Sequence, residues 1–215
     1  MTIREWFRSG LALAILGSPA LAQHWEVGAL GGGGFYLNNS VTGSRGTGTV
    51  GFQPGFSAGG WLGHHTAGRF GGEIRYLFQK NDLKVAGPSQ TLTFGGQSHL
   101  IHYDFVIHTR SSEDRVRPYF AAGGGMKGYF GTGQEHAFQP LSNIAVPTHT
   151  SQWRPVVSFG AGVKWAIRSR LMLRAEVRDY VTQFPKDVIF PAPGNRIGGW
   201  AHDITPLIGL SYIFY

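Results

Sequence analysis

The stretch LRAEVRDYV, residues 173–181, sets Arg174, Glu176 and Arg178 at every second position, with Leu173, Ala175, Val177 and Asp179 between them. Side chains of a strand alternate between its two faces, so three charges share one face and a mainly apolar set occupies the other. A soluble sheet would turn the charges to water. The neighbouring segments argue for the reverse arrangement, with the apolar face outward.

In RFGGEIRYLFQ, residues 69–79, Phe70, Gly72, Ile74, Tyr76 and Phe78 share one face, while Glu73, Arg75 and Gln79 fall on the other. LIHYDFVIH, residues 100–108, alternates Ile101, Tyr103, Phe105 and Ile107 with His102, Asp104, Val106 and His108. In QWRPVVSFGAGVKWAI, residues 152–167, Trp153, Val157, Phe159, Val163 and Trp165 oppose a face of small residues that includes Lys164. Eight such period-two segments are predicted, at 24–36, 52–63, 69–79, 97–109, 116–130, 152–167, 171–184 and 202–215. Their length and even number suit tilted strands crossing a bilayer.

The connections alternate in length. Those near 64–68, 110–115 and 168–170 are short, whereas 37–51, 80–96, 131–151 and 185–201 are long and rich in Gly, Pro, Ser, Thr and Asn. Short turns at one end and long loops at the other mark a transmembrane barrel with both termini in the periplasm. Residues 1–22 place Arg4 and Arg8 before an apolar run, Leu11 to Leu16, and end in Ala20-Leu21-Ala22, the pattern of a cleaved secretory signal. The expected organisation is therefore a signal peptide, 1–22, followed by one barrel domain, 23–215.

Composition excludes several classes. There is no cysteine, so disulfides, thiolate metal sites and cysteine nucleophiles are ruled out. Only 14% of residues are charged against 13% aromatic, with 33 glycines, too few charges to coat a soluble exterior of this size. The net charge of +7, or +6 after loss of the signal, is scattered rather than clustered and so does not describe a nucleic-acid binder. Glycine runs such as GALGGGGF and AAGGGMKGYFG continue aromatic period-two sequence, as glycines that relieve crowding in a small curved barrel do.

The chain closes on GLSYIFY, in which Ile208, Leu210, Tyr212 and Phe214 form an outward set. With the signal, the alternating strands, RPYFAAGGGMK and LRAEVRDYV, this ending makes residues 23–215 resemble the outer-membrane β-barrel domain family, similar to the eight-stranded transmembrane domain of outer membrane protein A. The resemblance implies an all-β, eight-stranded antiparallel up-and-down barrel with a polar, plugged lumen, integral to the outer membrane. It also implies contact with outer-membrane lipid and lipopolysaccharide, recognition of the final strand by the barrel-assembly machinery, and a monomer. No peptidoglycan-binding domain is expected after the eighth strand.

In such a barrel Glu26, Glu73, Arg75, Asp104, Arg117, Lys127, Lys164, Arg174, Glu176 and Arg178 share the inward parity. An eight-stranded interior is filled by side chains, so these ions are expected to pair across it, with Glu73 and Glu176 as hubs for the arginines. The lipid-facing belt is expected to hold Phe70, Ile74, Tyr103, Phe105, Val157, Phe159, Leu173, Val177, Leu210 and Tyr212. Asp179 has the opposite parity near a loop end and is assigned no chemistry.

No catalytic residue, cofactor or metal is expected. GTGTVG, 46–51, matches a dinucleotide fingerprint literally but introduces a strand where the fingerprint must open a helix, and reads as a flexible loop. His102 with Asp104 and His108 would need a third ligand from another strand to hold a metal, so hydrogen bonding is expected of them instead. His64 and His65 read as solvated turn residues. The competing enzymatic reading is a lipid A deacylase: His149-Thr150-Ser151 resembles the His-x-Ser pair of that family, yet a carboxylate to orient the histidine is missing between Ser151 and Glu176. A soluble lipid-binding barrel would need the inverse parity, and a porin many more strands. The four long loops are the expected place for a partner, with Arg45, Lys80, Lys84, Lys186 and Arg196 available to anionic lipopolysaccharide.

Overall fold

The computed structural model describes residues 24–65 and 68–214; the segment read as a signal peptide lies outside them. Fifteen strands follow in order: β1 His24–Tyr36, β2 Asn39–Gly43, β3 Gly48–Phe52, β4 Gly55–His65, β5 Phe70–Lys80, β6 Leu83–Ala86, β7 Thr91–Phe94, β8 Gly96–His108, β9 Val116–Gly131, β10 Ala145–Pro147, β11 Ser151–Arg168, β12 Leu171–Gln183, β13 Ile189–Pro191, β14 Asn195–Ile197 and β15 Trp200–Phe214. The eight long ones, β1, β4, β5, β8, β9, β11, β12 and β15, close into an antiparallel up-and-down barrel in which each neighbours the next and β15 returns to β1. Their boundaries lie within three residues of the expected ones.

Alternation sets which face is buried. Along β8 every second residue from Leu100 to His108 is buried and every intervening one exposed; β15 repeats the pattern, and β12 keeps the buried alternation with its outward residues exposed or half-buried. The exposed set on the outer wall is apolar and aromatic; the buried set among the described residues includes eleven charged side chains and further polar ones, the inverse of a water-soluble sheet.

Among the described residues the barrel ladders are irregular at two places, a register shift between Ala166 and Arg168 where β11 meets β12 and a gap where β1 meets β15. On β1, Gly32 pairs with Leu207 of β15 and Phe35 pairs with Ile204 in the same register, but Gly33 and Gly34 are skipped opposite Pro206 and Thr205. Pro206 has no N–H to give to the ladder there, and the barrel remains closed around the gap.

The long connections do not run as loose loops. All four fold onto the barrel end they share, as a five-stranded sheet in the order β14-β2-β3-β6-β7 and a two-stranded sheet of β10 and β13. Together they bury a second core of Val41, Val50, Phe52, Leu83, Val85, Phe94, Ile144, Val188, Ile189 and Ile197, which reaches into the barrel through Tyr129 and Phe184. The segment 46–51, expected to be flexible, contributes β3, paired to β2 on one side and β6 on the other. Pro54, unable to donate to a ladder, separates this cap strand from the barrel strand β4, which explains why a single strand over 52–63 is not found.

Candidate interior ion-pair site and outer wall

Glu73 on β5 and Glu176 on β12 stand on opposite walls, four strands apart in either direction around the barrel. Three arginines span the gap between them. Arg174 grips Glu73 in a fork, Nη1 to Oε2 at 2.7 Å and Nη2 to Oε1 at 3.0 Å. Arg75 donates Nη2 to Glu73 at 2.8 Å and Nη1 to Glu176. Arg178 donates Nη2 to Glu73 at 2.8 Å, Nε to Glu176 at 3.0 Å and Nη1 to Asp104 at 2.6 Å. Tyr119 completes the cluster, accepting from Arg174 Nε at 2.6 Å and donating to Glu176 at 2.7 Å. The three guanidinium groups and their carboxylates are all buried.

Space for these long side chains comes from the small residues of β11. A Cβ on Gly160 would overlap Cδ of Arg178, and one on Gly162 would overlap the Tyr119 hydroxyl. Arg174 also lies over the rings of Trp61, 4.8 Å, and Tyr119, 4.7 Å, within cation–π range.

Two further pairs flank the cluster along the barrel axis. Towards the short-turn end, Lys164 reaches Glu26 at 2.5 Å, with Ser211 donating to the other carboxylate oxygen at 2.6 Å. Towards the cap, Lys127 reaches Asp203 at 2.5 Å while Thr205 donates to that carboxylate at 2.8 Å, and the ammonium sits between the rings of Tyr36 and Tyr129. Arg117 shares the inward face and is buried; Glu26 and Asp114 are the carboxylates that act on it, while its Nε meets no acceptor among the described residues.

Asp203, Tyr119, Trp61 and Thr205 are the interior residues that sequence reasoning missed. Asp203 and Thr205 carry the inward parity of β15 and could have been found from it; Tyr119 and Trp61 are aromatics whose polar role depends on which arginines lie opposite. His102 Nδ1 stands 3.1 Å from Asp104 Oδ1, but off the line of a hydrogen bond, and its ring packs edge-on against Tyr180. His108 offers Nδ1 towards the Arg69 carbonyl at 3.3 Å. Among the described residues no three His, Cys, Asp or Glu side chains converge as a metal set.

On the outer wall Phe70, Ile74, Tyr103, Phe105, Val157, Phe159, Val177, Leu210 and Tyr212 are exposed. Leu173 is only half-buried rather than fully outward, because Trp165 and Leu210 stand directly beside it on the neighbouring strands. Asp179 does acquire a partner: His202 Nδ1 is 2.9 Å from its Oδ2. His64, expected to be solvated, is half-buried between the rings of Trp25 and Tyr103.

The His149-Thr150-Ser151 segment enters β11 at the cap. Carboxylates absent from its sequence neighbourhood are brought near by the fold, yet not to the imidazole: Glu135 accepts from the His149 backbone N–H at 2.6 Å, and Asp187 accepts from Gln152. The ring nitrogen Nδ1 lies 2.9 Å from the Gly133 carbonyl.

The crystal structure of the N-terminal β-barrel domain of OprF from Pseudomonas aeruginosa shares the fold at 14% identity and a TM-score of 0.50, over 89% of this chain and 97% of that one. Neisserial surface protein A does so at 13% identity and a TM-score of 0.51, over 88% and 96%. No curated protein matches in sequence. The model of the outer membrane protein beta-barrel domain matches residues 9–214, nearly the whole chain. This chain therefore belongs to the outer membrane protein beta-barrel domain family.

Proposed function

We propose that this integral outer-membrane barrel is a sealed, non-enzymatic structural protein, with both termini in the periplasm and the cap presented at the cell surface as its interaction face. The observation that carries this reading is the bridge from Glu73 to Glu176 through Arg75, Arg174 and Arg178, which reaches from one wall of the barrel to the opposite one. A channel lining would leave its charges to water, whereas these hydrogen-bond one another. The cap core over one mouth supports the same reading.

The test is conductance of the refolded barrel in a planar lipid bilayer. Silent membranes are expected; reproducible single-channel steps from the wild-type protein would overturn the plug. For the surface role, Arg45, Lys84, Lys186 and Arg196 are the cap cations offered to lipopolysaccharide, since Lys80 is already engaged by Asp82 at 2.6 Å. Their joint substitution by Gln is expected to weaken lipopolysaccharide binding and flatten its salt dependence; unchanged binding would remove that partner.

A further inference from the structure

The end of the barrel that carries the short turns is basic. Among the described residues its turns hold Arg69, Arg110, Arg115, Arg168 and Arg170 against Glu113 and Asp114. Three of these arginines gather on one stretch of rim: Arg115 immediately precedes β9, Arg168 closes β11 and Arg170 immediately precedes β12. Because β9, β11 and β12 are consecutive neighbours in the wall, the three positions span roughly 10 Å across the rim, two strand spacings.

These side chains turn to the lipid side. Strict alternation from Lys164 would send Arg168 into the lumen, but the ladder of β11 with β12 shifts between Ala166 and Arg168 and sets Arg168 opposite Leu171. Directly opposed residues share a face, and Leu171 in turn lies opposite Tyr212 of the outward set, so the bulge re-aims Arg168 outward, where it is exposed. Arg115 stands 5.9 Å from the centre of the Trp165 ring, within cation–π range, and Arg170 donates from Nη1 to the Tyr212 hydroxyl at 3.3 Å. Trp165 and Tyr212 are both exposed on the outer wall. Beyond them the outward rows read Val116, Trp165, Leu173, Leu210 and then Pro118, Val163, Ala175, Ile208, without a charge. The arginines therefore stand where the apolar belt ends, at the depth where amphipathic rings meet lipid headgroups.

The carboxylates of this end are directed elsewhere. Glu26 is buried in the lumen with Lys164, and Asp114 accepts from the Ser111 N–H at 3.1 Å and acts on Arg117. Glu113 is outnumbered by the arginines outside, so the rim calls for an anion from the membrane itself.

We infer that Arg115, Arg168 and Arg170, held against Trp165 and Tyr212, form a binding site for the headgroup phosphate of one anionic glycerophospholipid. A guanidinium presents paired N–H donors that match two phosphate oxygens, and it keeps that capacity while stacked on a ring. The net charge of the lipid sets the preference, because a zwitterionic head brings its own cation to its phosphate. The inference rests on the orientation proposed above, which makes this the periplasmic leaflet.

The experiment uses the refolded full barrel in nanodiscs of phosphatidylcholine doped with a minor fraction of phosphatidylglycerol, followed by native mass spectrometry of the lipids retained. Phosphatidylglycerol is expected on the wild-type barrel at about tenfold or more over its mole fraction, since each cation at an anionic lipid surface favours it about fivefold. Arg115→Gln with Arg168→Gln should bring retention down towards the mole fraction. Arg69→Gln with Arg110→Gln removes the same charge from the same end of the barrel, at other positions, and should leave the enrichment within about twofold of wild type. Heat-modifiable mobility on a gel checks that both variants fold. Equal retention of the two lipids by the wild type, enrichment that survives Arg115→Gln with Arg168→Gln, or an equal loss in both variants, which would mean diffuse charge, would each overturn the site. Nanodiscs offer the same lipids to both ends of the barrel, so a reversed orientation would leave these adducts unchanged, and the two failures are distinguishable.

Discussion

At the scale of single residues, Glu73 is the side chain on which most depends, because it pairs with Arg75, Arg174 and Arg178 at once. Glu73→Gln keeps the shape and removes the charge, leaving three buried guanidinium groups to share Glu176 and Asp104. A loss of roughly 3–5 kcal/mol is expected in urea unfolding from lipid vesicles, the magnitude for breaking a buried pair. Arg117→Met gives the opposite expectation. It removes a buried cation whose Nε meets no acceptor among the described residues and on which Glu26 and Asp114 act, so stability should change by no more than about 1 kcal/mol. The contrast was partly legible in the sequence. Parity places all ten charges inward, but says nothing about which cation finds an anion, because partners such as Lys127 and Asp203 are brought together across the interior by strand order alone.

At the scale of elements, β11 is built around absences. Gly160→Val is expected to cost about 1–3 kcal/mol through overpacking against Arg178, read as a lower midpoint temperature for the heat-modifiable mobility shift. Asp82, just beyond β5, ties the cap to the barrel rim by accepting from Lys80 and from the Gly96 N–H. Burial alone would raise its carboxyl, but the Lys80 and Gly96 hydrogen bonds outweigh that and hold it below the usual carboxylate range. A depressed folded-state value means its contribution is full above the ordinary carboxylate range and is lost as pH falls through the lowered one. The protection factor of the Gly96 amide, its exchange rate set against the intrinsic rate at each pH, should therefore fall on acidification in the wild type, and be low and flat with pH across that range in Asp82→Ala. The eight barrel strands were readable because each repeats its alternation over eleven or more residues. The seven cap strands span three to five residues each, too short to show a period, and three of their five ladders join strands from different connections.

At the scale of the whole molecule, the described chain divides into a wall held by ion pairs within and lipid without, and a cap held by an apolar core. Phe138, 81% exposed, sits in the stretch between β9 and β10. Chymotrypsin added outside intact cells should therefore nick the protein first after Phe138 and leave the rest of the cap uncut, since exposed loop tips are cleaved before paired strands. Cleavage seen only after the periplasm is opened would reverse the orientation. The architecture as a whole was legible from the alternation of short and long connections. The cap was not, because glycine- and threonine-rich connections look alike whether solvated or folded until Val50, Val85 and Ile144 are seen to share one core.

The weaving of the cap also bears on how an immune system would meet this surface. β14 pairs with β2, β3 with β6, and β10 with β13, so every ladder but that of β2 with β3 and that of β6 with β7 joins two different connections. A peptide copied from any one connection lacks the strands that shape it. Antibodies raised against such peptides should bind the denatured chain and fail on intact cells, whereas those raised against the folded barrel should recognise composite epitopes that no linear fragment reproduces.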